Sequence, residues 1–319
     1  MYRYPEDMKD AFPIQKERKP GHKEIKLMSN QRRDFLKLTG GFTSALALSS
    51  IAGKLGLDNL LLQENKKLRT FGLQLYSVRD DLPKDPKGVL KQVASFGYKQ
   101  IESFEGKDGM FWGLGNVDFK KYTSDLGMNI ISSHCDINKD FEKKAADAAA
   151  IGMKYLICPW LGPQKTLDAF KKFADTFNQK GEICKKNGIR FSYHNHEYSF
   201  KELEGQLPQD VLMKNTDASL VDFEMDMYWV VTAGHDIETW LKKYPGRFRL
   251  CHIKDRTKGA TERDNSCTLG EGSIDYVKIV KAARKSGVEY YIVEQERYDG
   301  TTPLKAAEAD AEYMKRLKI

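Results

Sequence analysis

Three strings in the sequence end on side chains that bind divalent cations or move protons: Asp226 in VDFEMDMYWV, His252 in RLCHIKD and Glu294 in YYIVEQE. Carboxylate and imidazole together supply the oxygen and nitrogen ligands that suit Mn, Mg, Co or Zn. Such an ion can bind adjacent oxygens of a ketose and polarise its carbonyl, and a carboxylate nearby could then take the proton from the adjacent carbon. Glu294 follows Tyr291-Ile292-Val293. A carboxylate left unpaired in so apolar a run is costly to bury, which points to a functional role. Asp226 has a plainer alternative, because Asp is a favoured N-cap ahead of a helix. His252 and Lys254 lie two apart on one strand and so share a face; Lys254 either joins the chemistry or pairs with a neighbouring acid.

The string YHNHE adds His194 and His196, again two residues apart. Both imidazoles point one way and could share a cation or hydrogen-bond a sugar hydroxyl. His134, in SSHCD, is a candidate substrate contact, and Glu102, in QIESF, is another unless it simply pairs with a lysine. Trp160 and Trp229 could stack on the C–H face of a sugar or pack the mouth of a barrel. Leu269-Gly270-Glu271-Gly272 is too short for more than a turn into the next helix. No GxGxxG or GxxxxGK[ST] string occurs, so nothing argues for a separate redox or nucleotide cofactor.

Groups this far apart in sequence meet only if the chain closes on itself. From Thr70 onward, strand-like and helix-like patterns alternate. Strands are expected at 70–77, 100–104, 128–135, 154–160, 189–196, 219–226, 248–255 and 289–296. Helices are expected at 83–96, 117–126, 141–151, 166–187, 208–214, 237–244, 274–286 and 303–317. Short apolar runs bounded by Gly or Asn fit buried parallel strands, and alternation with helices implies βαβ units. Eight units predict an α/β fold, a single (β/α)8 TIM barrel, in which the strand C-termini converge on one pocket. A chain of 319 residues is long enough for one such barrel.

The net charge of +7 is concentrated at the start of the chain. Residues 1–57 carry 11 Lys and Arg against 6 Asp and Glu, leaving 41 against 39 for the remainder. A body so nearly balanced gives no electrostatic case for a nucleic-acid partner. Five scattered cysteines, with no CxxC pair, argue against a disulfide framework or a structural zinc. Arg32-Arg33-Asp34-Phe35-Leu36-Lys37, followed by an apolar, small-residue run to Ala52, resembles a bacterial twin-arginine export signal. Residues 1–57 are therefore expected to be leader and signal, 58–319 the barrel domain, and the mature protein periplasmic after passage through the export machinery. Met28 is a plausible true start.

The fragments QLYSVRD, YHNHEYSF, MDMYWVVTAGHD, GRFRLCHIKD, LGEGSID and YYIVEQE, in this order over residues 70–318, resemble the xylose isomerase-like barrel superfamily, in its sugar phosphate isomerase/epimerase branch. The resemblance implies one divalent ion held by four ligands in the order Glu, Asp, His, Glu. Asp226, His252 and Glu294 match the last three, and His194 stands where the first glutamate would fall. It further implies a small-molecule sugar substrate, a ketose or 3-keto-glycoside, and an isomerase or epimerase, or a lyase that eliminates an aglycone. The base would be Glu294, with His196 and Lys254 as further catalytic groups and His134, Trp160, Trp229 and Glu102 around the substrate. Two other readings remain at this stage: a non-catalytic sugar-binding barrel, and a metal-dependent endonuclease-like barrel, which would need more histidines than the six present.

Overall fold

The computed structural model describes Leu68 and residues 70–318. The expected leader and twin-arginine signal, residues 1–57, lie outside the described residues. Eight parallel strands close into a barrel: β1 Gly72–Gln74, β2 Gln100–Phe104, β3 Asn129–His134, β4 Tyr155–Cys158, β5 Arg190–His194, β6 Val221–Asp226, β7 Phe248–Ile253 and β8 Tyr290–Val293. Each pairs with the next, and β8 closes on β1 through Gly72 and Leu73 opposite Ile292 and Val293. The helices are α1 Pro86–Phe96, α2 Asn116–Asp125, α3 Phe141–Ala150, α4 Leu167–Lys186, α5 Pro208–Asn215, α6 Met227–Thr232, α7 Ile237–Lys243, α8 Tyr276–Ser286 and α9 Pro303–Arg316. The (β/α)8 expectation holds.

Local chemistry sets the boundaries. The Asp85 carboxylate accepts from the Gly88 N–H and Pro86 opens α1, so the helix starts three residues later than its apolar pattern implies. Gly97, at φ 104°, ends it in a left-handed turn that glycine adopts without steric cost. Sequence pattern alone missed α6. Its residues, MYWVVT, are mostly β-branched and aromatic and lie outside the expected elements, but the Asp226 side chain caps the Trp229 N–H, the N-cap alternative that the sequence offered, and turns the chain into a helix.

Side-chain alternation divides the strands between two environments. Val221, Phe223 and Met225 of β6 face the helices and join the main apolar core, as do Phe191 and Tyr193 of β5. A separate apolar cluster of Ile131, Tyr155, Ile157 and Leu250 plugs the barrel interior. At the N-terminal end of the barrel, Arg190 pairs with Asp222 and Arg249 with Glu289 around a cavity of about 450 Å³. Towards the C-terminal end the inward positions are polar: Gln74, Glu102, Ser132, His134, His194, Glu224, Asp226 and His252 are all buried. All five cysteines are free, in keeping with the expectation of no disulfide framework.

Candidate active site and metal centre

The polar interior has two tiers. In the lower tier Glu102 of β2 accepts from the Gln74 side-chain amide at 2.8 Å and from the Ser132 hydroxyl at 2.5 Å. Its Oε1 lies 2.6 Å from His252 Nε2 and 3.1 Å from His134 Nε2. Glu224 of β6 presents Oε2 to His134 Nε2 at 2.9 Å, His194 Nδ1 at 3.0 Å and His252 Nε2 at 3.3 Å. Burial raises the proton affinity of Glu102, but His134 and His252 outweigh it and hold the carboxyl well below the usual carboxylate range. Glu224 goes the other way, pushed up to about 7 by burial and by the charge of Glu102. His134 is lowered by burial and raised more strongly by Glu102 and Glu224, to about 9.

Directly above, Asp226, His252 and Glu294 converge from three strand ends. His252 Nδ1 is 3.3 Å from Glu294 Oε2 and 3.8 Å from Asp226 Oδ2, and His194 Nε2 is 3.8 Å from that same Oδ2. Asp226 Oδ1 caps α6 through the Trp229 N–H at 3.1 Å, whereas Oδ2 is buried with no hydrogen-bond partner. The cap and the ligand are thus different oxygens of one carboxylate, so the two sequence readings of Asp226 coexist. An orphaned buried acceptor facing imidazole and carboxylate lone pairs is what a cation site requires. Ligands 2.1 Å from a tetrahedral ion stand about 3.4 Å apart, close to the 3.3–3.8 Å separations here. Asp226, His252 and Glu294 form one group able to hold an ion, while His134, His194, Glu224 and His252 form another.

Lys254, one residue past β7, ion-pairs with Glu296 and lies 3.3 Å from Glu294 and 4.0 Å from Asp226. Burial opposes its charge, but Glu296 and Glu294 outweigh burial and raise its pKa. The converse holds at Glu294, where burial is outweighed by Lys254 and His252 and the carboxyl is held below its usual range. Asp226, pushed up to about 7, is dominated by burial. Burial and Lys254 lower the pKa of His196 and keep its ring neutral. Asn195 fixes the top of β6 by bonding both the N–H and the C=O of Asp226, at 3.2 and 3.1 Å.

The remaining expected contacts separate by depth. Trp160 is half-buried with its edge to His196, ring centroids 4.5 Å apart, and keeps surface at the mouth. Trp229 is only 1% exposed, with the Arg263 guanidinium 4.3 Å from its ring centre and His196 at 5.3 Å. A sugar reaches its ring only if Arg263 moves, and Arg263 is pinned by Glu197 at 2.7 and 3.0 Å. Glu102 and His134, expected at the substrate rim, sit in the lower tier, bonded to the chain's own groups. Glu102 pairs there with histidines and not with the lysine that its sequence allowed.

Sequence reasoning missed Glu224, although Asp222, Glu224 and Asp226 repeat at the strand period of two. It also missed the work of the LGEG turn, whose Gly270 and Gly272 N–H groups, with that of Ile274, all donate to the buried Asp255 carboxylate. That backbone nest, of the kind that cradles anions, is filled by the protein itself.

Comparison with known proteins places these features in context. The family model described as xylose isomerase-like TIM barrel matches residues 90–317. A sugar phosphate isomerase/epimerase from Parabacteroides distasonis superposes with a TM-score of 0.68 at 31% identity, covering 78% of this chain and 94% of that one. An inosose dehydratase from Clostridium perfringens is 29% identical over 164 residues, 46% of this chain and 54% of its own length. The chain thus spans about half the length of the inosose dehydratases that it matches. The IOLI protein, whose structure holds a zinc atom, has the same fold with a TM-score of 0.64 at 16% identity, over 76% of this chain and 95% of its own.

Proposed function

Because the chain belongs to the xylose isomerase-like TIM barrel family, we propose that it is a carbohydrate-modifying enzyme that moves a proton next to a sugar carbonyl. The substrate class is a ketose or 3-keto-glycoside. One observation carries this reading above the others: Asp226 Oδ2, His252 Nδ1 and Glu294 Oε2 meet in one place from three separate strands, and the Asp226 oxygen has no hydrogen-bond partner among the described residues. His194 Nε2 lies 3.8 Å from the same Asp226 oxygen and would complete the set as a fourth ligand. A divalent ion bound there would act as a Lewis acid on a substrate carbonyl.

The protein's own groups then handle the proton. Glu294, kept ionised beside Lys254 and His252, accepts it from the carbon adjacent to the carbonyl. His196, held neutral by its burial, is the second acid–base group at the mouth. Lys254, pinned between Glu294 and Glu296, fixes the orientation of the Glu294 carboxylate. Return of the proton to either carbon gives isomerisation or epimerisation; loss of a hydroxyl from the next carbon gives elimination, the outcome that the name of the inosose dehydratase relatives favours. For the exported form we keep the twin-arginine reading of Arg32-Arg33 as a proposal, with the periplasm as destination.

The test is deuterium uptake. In heavy water, the ion-loaded protein incorporates deuterium into at least one member of a panel of ketoses, inososes and 3-keto-glycosides. Absence of uptake across the panel by folded, ion-loaded protein would refute the assignment.

A further inference from the structure

We propose that Glu224 and Glu102 are positioning residues, which fix His194 and His252 in opposite ring tautomers so that both imidazoles aim a lone pair at one ion. The inference rests on the ion site of the functional reading above. A neutral imidazole carries one N–H and one lone pair, and only the lone pair can ligate. A carboxylate that already accepts from other donors is an acceptor towards an imidazole, so the ring nitrogen in the shorter contact with such a carboxylate keeps its N–H and the other nitrogen is the one left for the ion. At His194 the nitrogen that keeps its N–H is Nδ1, 3.0 Å from Glu224 Oε2, which leaves Nε2 bare towards Asp226 Oδ2. At His252 it is Nε2, 2.6 Å from Glu102 Oε1, an oxygen that also accepts from Gln74; Nδ1, in the longer 3.3 Å contact with Glu294 Oε2 and 3.8 Å from Asp226 Oδ2, is the nitrogen left for the ion. The two rings are reversed, and the carboxylates that reverse them come from different strands.

Neither carboxylate is free to wander. Gln74 and Ser132 hold Glu102, His134 holds Glu224, and both glutamates are fully buried. Outer carboxylates that orient ligating histidines are typically worth 10- to 100-fold in metal affinity.

A rival use of the same side chains exists, since His134, His194, Glu224 and His252 could themselves surround an ion. That arrangement needs the lone pairs at His194 Nδ1 and His252 Nε2, the reverse of the tautomers inferred here. Its distances weigh against it, although Glu224 Oε1 is, like Asp226 Oδ2, buried without a hydrogen-bond partner among the described residues. His134 and His194 stand 2.9 and 3.0 Å from Glu224 Oε2, hydrogen-bond distances, shorter than the ligand–ligand spacing of about 3.4 Å around a tetrahedral ion.

The test labels histidine with nitrogen-15 and reads each tautomer from long-range nitrogen–proton correlations in zinc-loaded protein, with cobalt(II) titration by visible absorption alongside. Expected are His194 with its proton on Nδ1, His252 with its proton on Nε2, and one cobalt per chain. Glu224→Gln and Glu102→Gln should each bind cobalt 10- to 100-fold more weakly. Reversed tautomers, two ions per chain with one lost in Glu224→Gln, or cobalt binding unchanged in both variants would overturn the inference. Should the variants not fold, the spectrum of the unaltered protein decides alone. Ion binding with the expected tautomers but no sugar proton exchange would sink the functional reading and support this one; exchange with reversed tautomers would do the opposite.

Discussion

Glu224 and Asp226 lie two residues apart on β6, and each buried carboxylate has one oxygen engaged by the protein and one without a hydrogen-bond partner among the described residues. Glu224 Oε2 stands within 3.3 Å of three imidazole nitrogens. Asp226 Oδ2, one tier higher, accepts no hydrogen bond from the described residues. Glu224 Oε1 is likewise buried without a hydrogen-bond partner among the described residues, but Glu224 Oε2 braces the imidazoles, whereas Asp226 Oδ2 faces His252 and Glu294.

Asp226→Asn separates the two jobs of that residue. Asparagine is as good an N-cap as aspartate, so urea unfolding should move by less than about 1 kcal/mol. Cobalt affinity should fall by at least about 100-fold, because a charged ligand is lost. Asp226→Ala should lose both the ion and about 1 kcal/mol of capping. Equal cobalt affinity in Asp226→Asn and the unaltered protein would remove Asp226 from the ligand set.

Glu294→Gln keeps the shape of the proposed base and abolishes its basicity. Deuterium incorporation into a responsive substrate should drop by about 100- to 10,000-fold, the usual contribution of a general base. Exchange at the original rate would move the role elsewhere, with His196 next in line.

Gly272→Ala tests the filled nest. A Cβ there would stand 2.2 Å from Asp255 Oδ1 and 2.5 Å from the Arg256 carbonyl oxygen, and the backbone cannot give way cheaply. A loss of about 1–3 kcal/mol is expected in urea unfolding. An unchanged midpoint would mean that the turn is looser than its three hydrogen bonds to Asp255 imply.

Asp310 carries a pH prediction outside the site. Burial pushes its carboxyl up to about 8, while its Oδ1 accepts the Leu269 N–H at 2.8 Å. In the unfolded chain an aspartate titrates near 3.9. Between those values the native state holds a proton that the unfolded state has lost. The stability from this group is therefore fully present below about pH 4 and lost as pH rises towards 8, by up to about 1.4 kcal/mol per unit. Asp310→Asn lacks this dependence, so its stability relative to the unaltered protein should improve steadily between pH 5 and pH 8. A difference that stays constant with pH would contradict the assignment.

Local pattern carried most of the architecture. The second strand was expected at 100–104 and is found at Gln100–Phe104, and the long helix expected at 166–187 is found at Leu167–Lys186, because each has a clear apolar period and a polar boundary. The convergence of Asp226, His252 and Glu294 was legible because all three lie at the ends of apolar strands, where barrel closure leaves one destination. Depth was not legible. Glu102 and His252 are 150 residues apart and meet only across the barrel interior, so nothing local distinguishes a rim contact from a buried brace. The LGEG turn was underestimated for a similar reason, since its partner Asp255 precedes it by 15 residues.

The most direct test of the ion site is anomalous diffraction from crystals grown with manganese or cobalt. Expected is a single strong peak within about 2.3 Å of Asp226 Oδ2, His194 Nε2, His252 Nδ1 and a Glu294 oxygen. No peak at that position, or a peak lying instead among His134, His194 and Glu224, would contradict it.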